Sequence, residues 1–113
     1  MDLHSAVEND TNIITVNAKR IDAGVAIQFK DAMRASAVDG PARVILDMSQ
    51  VAFVDSSGLG AIVAAMKQLG GGHKIELAAL TPDVDKVFRL TRMDSIFVIH
   101  SDMEQATSSR RAG

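Results

Sequence analysis

The residues with the most chemical potential lie in Asp55-Ser56-Ser57-Gly58-Leu59-Gly60, where two hydroxyls follow a carboxylate and precede a pair of glycines. The stretch stands where the apolar run VAFVD (51–55) ends and an amphipathic pattern begins. Four jobs are open to a serine there: helix cap, nucleophile, phosphate cradle or phosphate acceptor. Capping accounts for Asp and Ser at such a junction, because their side-chain oxygens satisfy free amides of a first helical turn, an effect of about 1 kcal/mol. Capping and a further role are compatible. Nucleophilic catalysis is poorly supplied. A hydrolase elbow reads G-x-S-x-G, whereas Val54 and Asp55 stand two residues before Ser56 and Ser57. A triad also needs a histidine base. His4 lies near the N-terminus, His73 in a glycine loop and His100 at a strand end, so each reads as a solvated or loop histidine. None has the spacing of a helical metal pair. A phosphate cradle is also weak, since Gly58-Leu59-Gly60 is a lone G-x-G and Ile62 and Val63 stand where a P-loop needs lysine. Anion binding at the helix N-terminus stays physically open. No enzymatic activity, cofactor or metal is expected.

The whole chain narrows the classes further. Its 113 residues fit one domain, residues 1–113, with an ordered core over about 4–105 and a tail, 107–113, expected to fray for want of an apolar anchor. A hydrophobic fraction of 47% supplies a core and argues against disorder. A net charge of −2, with four Phe and neither Trp nor Tyr, leaves neither the basic surface nor the stacking platforms of a nucleic-acid binder. The absence of cysteine removes disulfides, thiolate catalysis and Cys-based metal sites. The start, MDLHSAVENDTN, is acidic and polar, unlike a signal peptide, and the apolar runs fall short of a membrane span. A soluble cytoplasmic domain without membrane contact is expected.

The elements that must position the serines follow from the hydrophobic pattern. NIITVNA (12–18) reads as a strand, with HSAVE (4–8) as its hairpin partner across ENDTN. Asp22 stands at a helix N-cap ahead of a stripe of Val25, Ala26, Phe29, Ala32 and Met33, and Asp39-Gly40-Pro41 breaks that helix. ARVILDM (42–48) has the continuous apolar character of a strand buried on both faces. VAFVD follows as a strand, then a helix to about Leu69, a stop at LGGGHK and a strand at KIELAAL (74–80). Thr81 is placed as the cap of a third helix, with Pro82 at its first position and Val84, Val87, Phe88 and Thr91 as its buried stripe. SIFVIH (95–100) reads as the last strand and SDMEQA as the start of a short helix. The alternation predicts an α/β domain with a mixed four- to five-stranded sheet and about four helices.

The helix after the serines carries a core stripe of Leu59, Ile62, Val63, Met66 and Leu69. Its other side begins with Gly60, Ala61 and Ala64, and charge appears only at Lys67. Small uncharged residues there admit close approach by another surface, either a docking partner or a second internal packing contact.

The stretch from VILDMSQVAFVDSSGLG to DSIFVI resembles the STAS domain, in particular the bacterial anti-sigma factor antagonists, whose D-S-[ST]-G-[LV]-G motif is matched by residues 55–60. Asp22 matches a family Asp. The resemblance implies a STAS-like fold and a partner-switching phosphoprotein in transcription regulation, of the kind used in stress responses. Unphosphorylated antagonist binds an anti-sigma factor that is itself a serine kinase and so frees a sigma factor; phosphorylation of Ser56 reverses binding, and a PP2C-type phosphatase resets it. By the same analogy Asp22, Asp47, Asp55, Ser56, Ser57 and Gly58 belong to the partner-binding patch, with Ser57 placed as a cap and the antagonist a monomer, and the small-residue side of the helix adds Gly60, Ala61 and Ala64. Two departures stand out. Lys19-Arg20 occupies the place of the family's usual Gly-acidic pair, and DKVFRLTRMDSIF lacks the glycine often found after the third helix. Related functions on the same fold are an accessory subunit of a lipid-transport complex and a nucleotide- or anion-binding sensor.

Overall fold

The computed structural model describes residues 1–109. The chain begins with a hairpin of β1 (Leu3–Glu8) and β2 (Thr11–Val16), in which Glu8 pairs with Thr11. The two-residue turn needs positive φ at both positions, and Asn9 and Asp10 supply it at 51° and 61°. Next come β3 (Arg20–Ile21), α1 (Ala26–Ala37), β4 (Arg43–Asp47), β5 (Phe53–Val54) and α2 (Ser56–Leu69). After a 3-10 turn at Gly70–Gly72 the chain continues through β6 (Lys74–Ala78), α3 (Pro82–Leu90), a second 3-10 turn, β7 (Val98–His100) and α4 (Met103–Ser109). Residues 110–113, the rest of the tail for which fraying is expected, lie outside the described residues.

The main sheet has the order β1-β2-β4-β6-β7, with only the β1–β2 pair antiparallel. The predicted α/β class with a mixed sheet of four to five strands is therefore observed, with five. VAFVD is not part of that sheet. Its β5 pairs in parallel with β3 as a separate two-stranded ribbon, Arg20 opposite Phe53 and Ile21 opposite Val54. Strand β3 has no apolar run of its own, so period-based reading passes over it.

Strand register divides the sheet into two faces. Ile14, Val16, Val44, Leu46, Ile75 and Leu77 share one core with Phe29, Met33 and Ala37 of α1, Ile62 and Ala65 of α2, and Val84 and Phe88 of α3. Burying each phenylalanine fully contributes about 1.5–3 kcal/mol. The opposite face carries Ile45 and Ala78, covered by Ala106 and Met103 of α4. Of the two predicted caps, one is corrected and the other holds its position without a capping bond. Val25, not Asp22, stands at the N-cap of α1, because residues 22–25 close a turn of their own through Val25 N–H to Asp22 O at 3.0 Å. Thr81 does stand at the N-cap of α3, but its hydroxyl donates to Val51 O at 2.8 Å and so ties α3 to the loop before β5.

Candidate functional site

Helix α2 starts where the β3–β5 ribbon ends, and Asp55 makes the junction. Its Oδ1 accepts from Gly58 N–H at 2.8 Å, the geometry of an N-cap on the third helical residue, and its Oδ2 accepts from Ala23 N–H at 3.2 Å. One carboxylate thus pins the first turn of α2 to the loop ahead of α1. Gly58 completes the clamp. A Cβ there would lie 1.9 Å from Ile21 O, so only glycine lets the helix seat against β3. Gly60 is different: a Cβ at that position meets nothing within 4 Å.

Because Asp55 does the capping, Ser57 does not, contrary to the role placed on it. Ser56 and Ser57 are both exposed at the first two positions of α2, and neither hydroxyl has a hydrogen-bond partner among the described residues. Asp22 sits in the adjoining loop, its Oδ1 accepting from Gly24 N–H at 3.1 Å and its Oδ2 from Arg20 Nε at 3.1 Å. The Arg20 guanidinium lies 4.3 Å from the centre of the Phe53 ring, a cation–π distance. Arg20 is therefore held rather than simply solvated. A shallow groove of about 220 Å³ runs alongside, lined by Ala26, Ile27 and Lys30 of α1 and by Ser57, Gly60, Ala61 and Ala64 of α2. Ile27 at its rim is 72% exposed and Phe53 across the ribbon 40%, large apolar side chains left in water beside the serines.

The fold brings together Asp22, Asp55, Ser56, Ser57, Gly60 and Ala64. The remaining residues of the expected patch sit otherwise. Gly58 is buried against Ile21, and Ala61 is only 7% exposed, so the small side of α2 serves internal packing in part as well as the groove. Asp47 lies on the face of β4 shared with Ile45, and its Oδ1 accepts from the Ser49 N–H that follows the strand.

A second polar cluster lies near the Gly70–Gly72 turn that follows α2, on the opposite face of the sheet, under α4. Arg43 Nε and Nη2 each donate to Glu76 at 2.9 Å, Nη2 also donates to Ala106 O at 2.7 Å, and His100 Nε2 stands 2.7 Å from Glu76 Oε1. Burial alone would raise the Glu76 carboxyl, but hydrogen bonds from Arg43 and His100, with their charges, outweigh it and hold its pKa below the usual value. The hydrogen bond to Glu76 raises Arg43 in turn. Reading His100 as a solvated strand-end histidine is thus corrected: it is buried, and its partner is a strand residue far away in sequence. The cleft beside this cluster is roomy, about 580 Å³, lined among others by Arg43, His73, Lys74 and Glu76. Yet Glu76 spends its oxygens on Arg43 and His100, so this end reads as an internal brace. Among the described residues no group of His, Asp and Glu is arranged to hold a metal, and no helix is long and apolar enough to cross a membrane.

Comparison with known proteins gives the same picture from outside. The STAS domain family profile matches residues 4–106. A STAS-domain containing protein of Pseudomonas aeruginosa is 31% identical over 81 residues, covering 71% of this chain and 79% of that one. Anti-sigma-F factor antagonist RsfB of Mycobacterium tuberculosis is 24% identical over 108 residues, 96% of this chain and 88% of that protein. The Bacillus anti-sigma factor antagonist SpoIIAA, in its unphosphorylated form, superposes with a TM-score of 0.74 at 21% identity, over 99% of this chain and 98% of its own. SpoIIAA has also been solved in a phosphorylated form, which superposes with a TM-score of 0.66.

Proposed function

The chain belongs to the STAS-domain family, and from that premise we propose that it is an anti-sigma factor antagonist whose docking is switched off by phosphate on Ser56. The observation that carries this reading is the Ser56 hydroxyl: exposed, without a hydrogen-bond partner among the described residues, and released from capping by Asp55. Around it Asp22, Asp55, Ser57, Gly60 and Ala64 form the docking patch, with Phe53 and Ile27 as apolar anchors at its rim. The partner is an anti-sigma factor with serine-kinase activity, bound in the cytoplasm by the monomeric antagonist in its unphosphorylated state; binding frees a sigma factor. The antagonist itself is a kinase substrate and not an enzyme.

In the modification step the γ-phosphoryl group of ATP passes to Oγ of Ser56. The new O–P bond forms as the bond to the β-phosphate oxygen breaks, ADP leaves, and the hydroxyl proton goes to a base of the kinase. A PP2C-type phosphatase hydrolyses the ester and returns Ser56 with inorganic phosphate. The dianion adds about −1.5 to −2 charges at neutral pH. At the start of α2 the free amides and helix dipole favour an anion, so the fold tolerates it. The interface does not. Desolvating that charge beside Asp22 and Asp55 costs roughly 2–5 kcal/mol, enough to change partners.

The test is intact-mass analysis after incubation with ATP and the host's candidate anti-sigma kinase, with Ser56→Ala as control. One added phosphate, absent from the control, is the expected result. Failure to bind that kinase at all, with capture of a transporter ATPase instead, would replace this reading by the lipid-transport scaffold.

A further inference from the structure

We propose that Arg20 is a pre-set receptor for the phosphate of phosphorylated Ser56, an inference that rests on the function above and concerns how this chain holds its modified state. Arg20 is fixed from two sides, by the Phe53 ring at 4.3 Å and by its Nε donating to Asp22 at 3.1 Å. Those contacts occupy one N–H. Both Nη groups have no hydrogen-bond partner among the described residues, although the side chain is 60% exposed and anchored. A guanidinium immobilised with its fork unused is the arrangement that planar, multidentate phosphate recognition asks for. Register and the loop bonds place the two in one neighbourhood: Arg20 is paired with Phe53, three residues before Ser56, and Ala23, next to its partner Asp22, donates its N–H to Asp55, the residue before Ser56, at 3.2 Å.

The site is composite. The Ser56 and Ser57 amides at the start of α2, which Asp55 leaves uncapped, offer one side of the phosphate an N–H cradle, and Arg20 offers the other a charged fork. Arg20 keeps Asp22 through Nε while its Nη groups take the phosphate, so no existing bond has to break. Neutralising the dianion within the chain holds the modified form in one compact geometry, and it occupies the Arg20–Phe53 surface that the partner would otherwise meet. The other charged groups of the neighbourhood are Lys19 beside Arg20, Lys30 on the α1 side of the groove, and the carboxylates of Asp22 and Asp55.

The test uses full-length protein carrying phosphoserine at position 56 installed during translation, so that no kinase is needed, with the second phosphate ionisation followed by 31P NMR. Free phosphoserine loses that proton near about pH 6. The unaltered chain is expected to titrate about 0.5–1 unit lower than its Arg20→Gln variant, with Arg20→Lys between them. The helix amides, Lys19, Lys30 and Asp55 are common to all three and cancel in the comparison; Asp22 loses its cationic partner in Arg20→Gln but keeps one in Arg20→Lys. Coincident titration of the unaltered chain and Arg20→Gln, both showing the amide dispersion of folded protein, overturns the proposal. If Arg20→Gln does not fold, Arg20→Lys carries the decision, and titration equal to or below that of the unaltered chain overturns it. A kinase that leaves Ser56 unmodified would defeat the proposed function alone, since this titration does not depend on it.

Discussion

The two ends of α2 differ in what they do with their polar groups. Beside the Gly70–Gly72 turn, Arg43, Glu76 and His100 face a roomy cleft, with the Glu76 pKa lowered and that of Arg43 raised, yet they are bonded to one another and to α4. At Ser56 the groove is shallow, but two hydroxyls and an anchored guanidinium are left with bonding capacity to spare. A cluster that completes itself braces the fold. A cluster left incomplete is available to something else, and this distinguishes the two ends better than cavity size does.

The largest effects should come from the braced end. Glu76→Ala removes the carboxylate that Arg43 and His100 share in a buried site and is expected to cost about 3–5 kcal/mol of folding stability, read by denaturant titration. Because the folded Glu76 pKa is lowered, its contribution is complete above the ordinary glutamate value of about 4.3 and is lost as pH falls through the folded value. The unaltered chain should therefore lose more stability between neutral pH and about pH 3 than Glu76→Ala does. A variant that weakened partner binding in proportion to its loss of stability would blur the distinction between the ends.

Within the serine motif itself the two glycines should separate. Gly58→Ala forces a methyl group onto Ile21 O and should cost about 1–3 kcal/mol or more. Gly60→Ala meets open space in a helix interior and should gain up to about 1 kcal/mol. Equal effects would mean that the helix start is less tightly seated on β3 than its geometry implies. A small effect is expected far from both ends. Arg92 follows α3 with φ of 62°, the left-handed position that glycine usually fills, so Arg92→Gly should raise stability by about 0.5–1 kcal/mol in a thermal melt.

That last position also shows what could be read from the chain alone. The missing glycine after α3 was visible as a departure from the family pattern, and its consequence is a non-glycine residue held at positive φ. Long periodic segments were equally legible: α2 ends at Leu69, and Phe29 and Met33 face the core. Asp22 was misassigned because Asx turns and helix caps use the same residue type, and only the fold decides which amide it meets. Arg43 and Glu76 did leave a signal, charged residues in strands that are apolar apart from them and the end residues Asp47 and Lys74. Their pairing with His100 depends on β4, β6 and β7 lying side by side, which no local pattern encodes. The serine motif was legible as a string. That Asp55 caps and the serines do not is a matter of which oxygen reaches Gly58 N–H.

The central claim is that charge on Ser56 breaks docking while leaving the fold intact, and the most direct measurement pairs calorimetric affinity for the anti-sigma partner with a melting curve for the unaltered chain and for Ser56→Asp. The account predicts at least a tenfold loss of affinity, about 1.4 kcal/mol, with a melting temperature within a few degrees of the unaltered chain. Unchanged affinity would contradict charge exclusion at this surface, and loss of binding together with collapse of the melting transition would make Ser56 a structural residue.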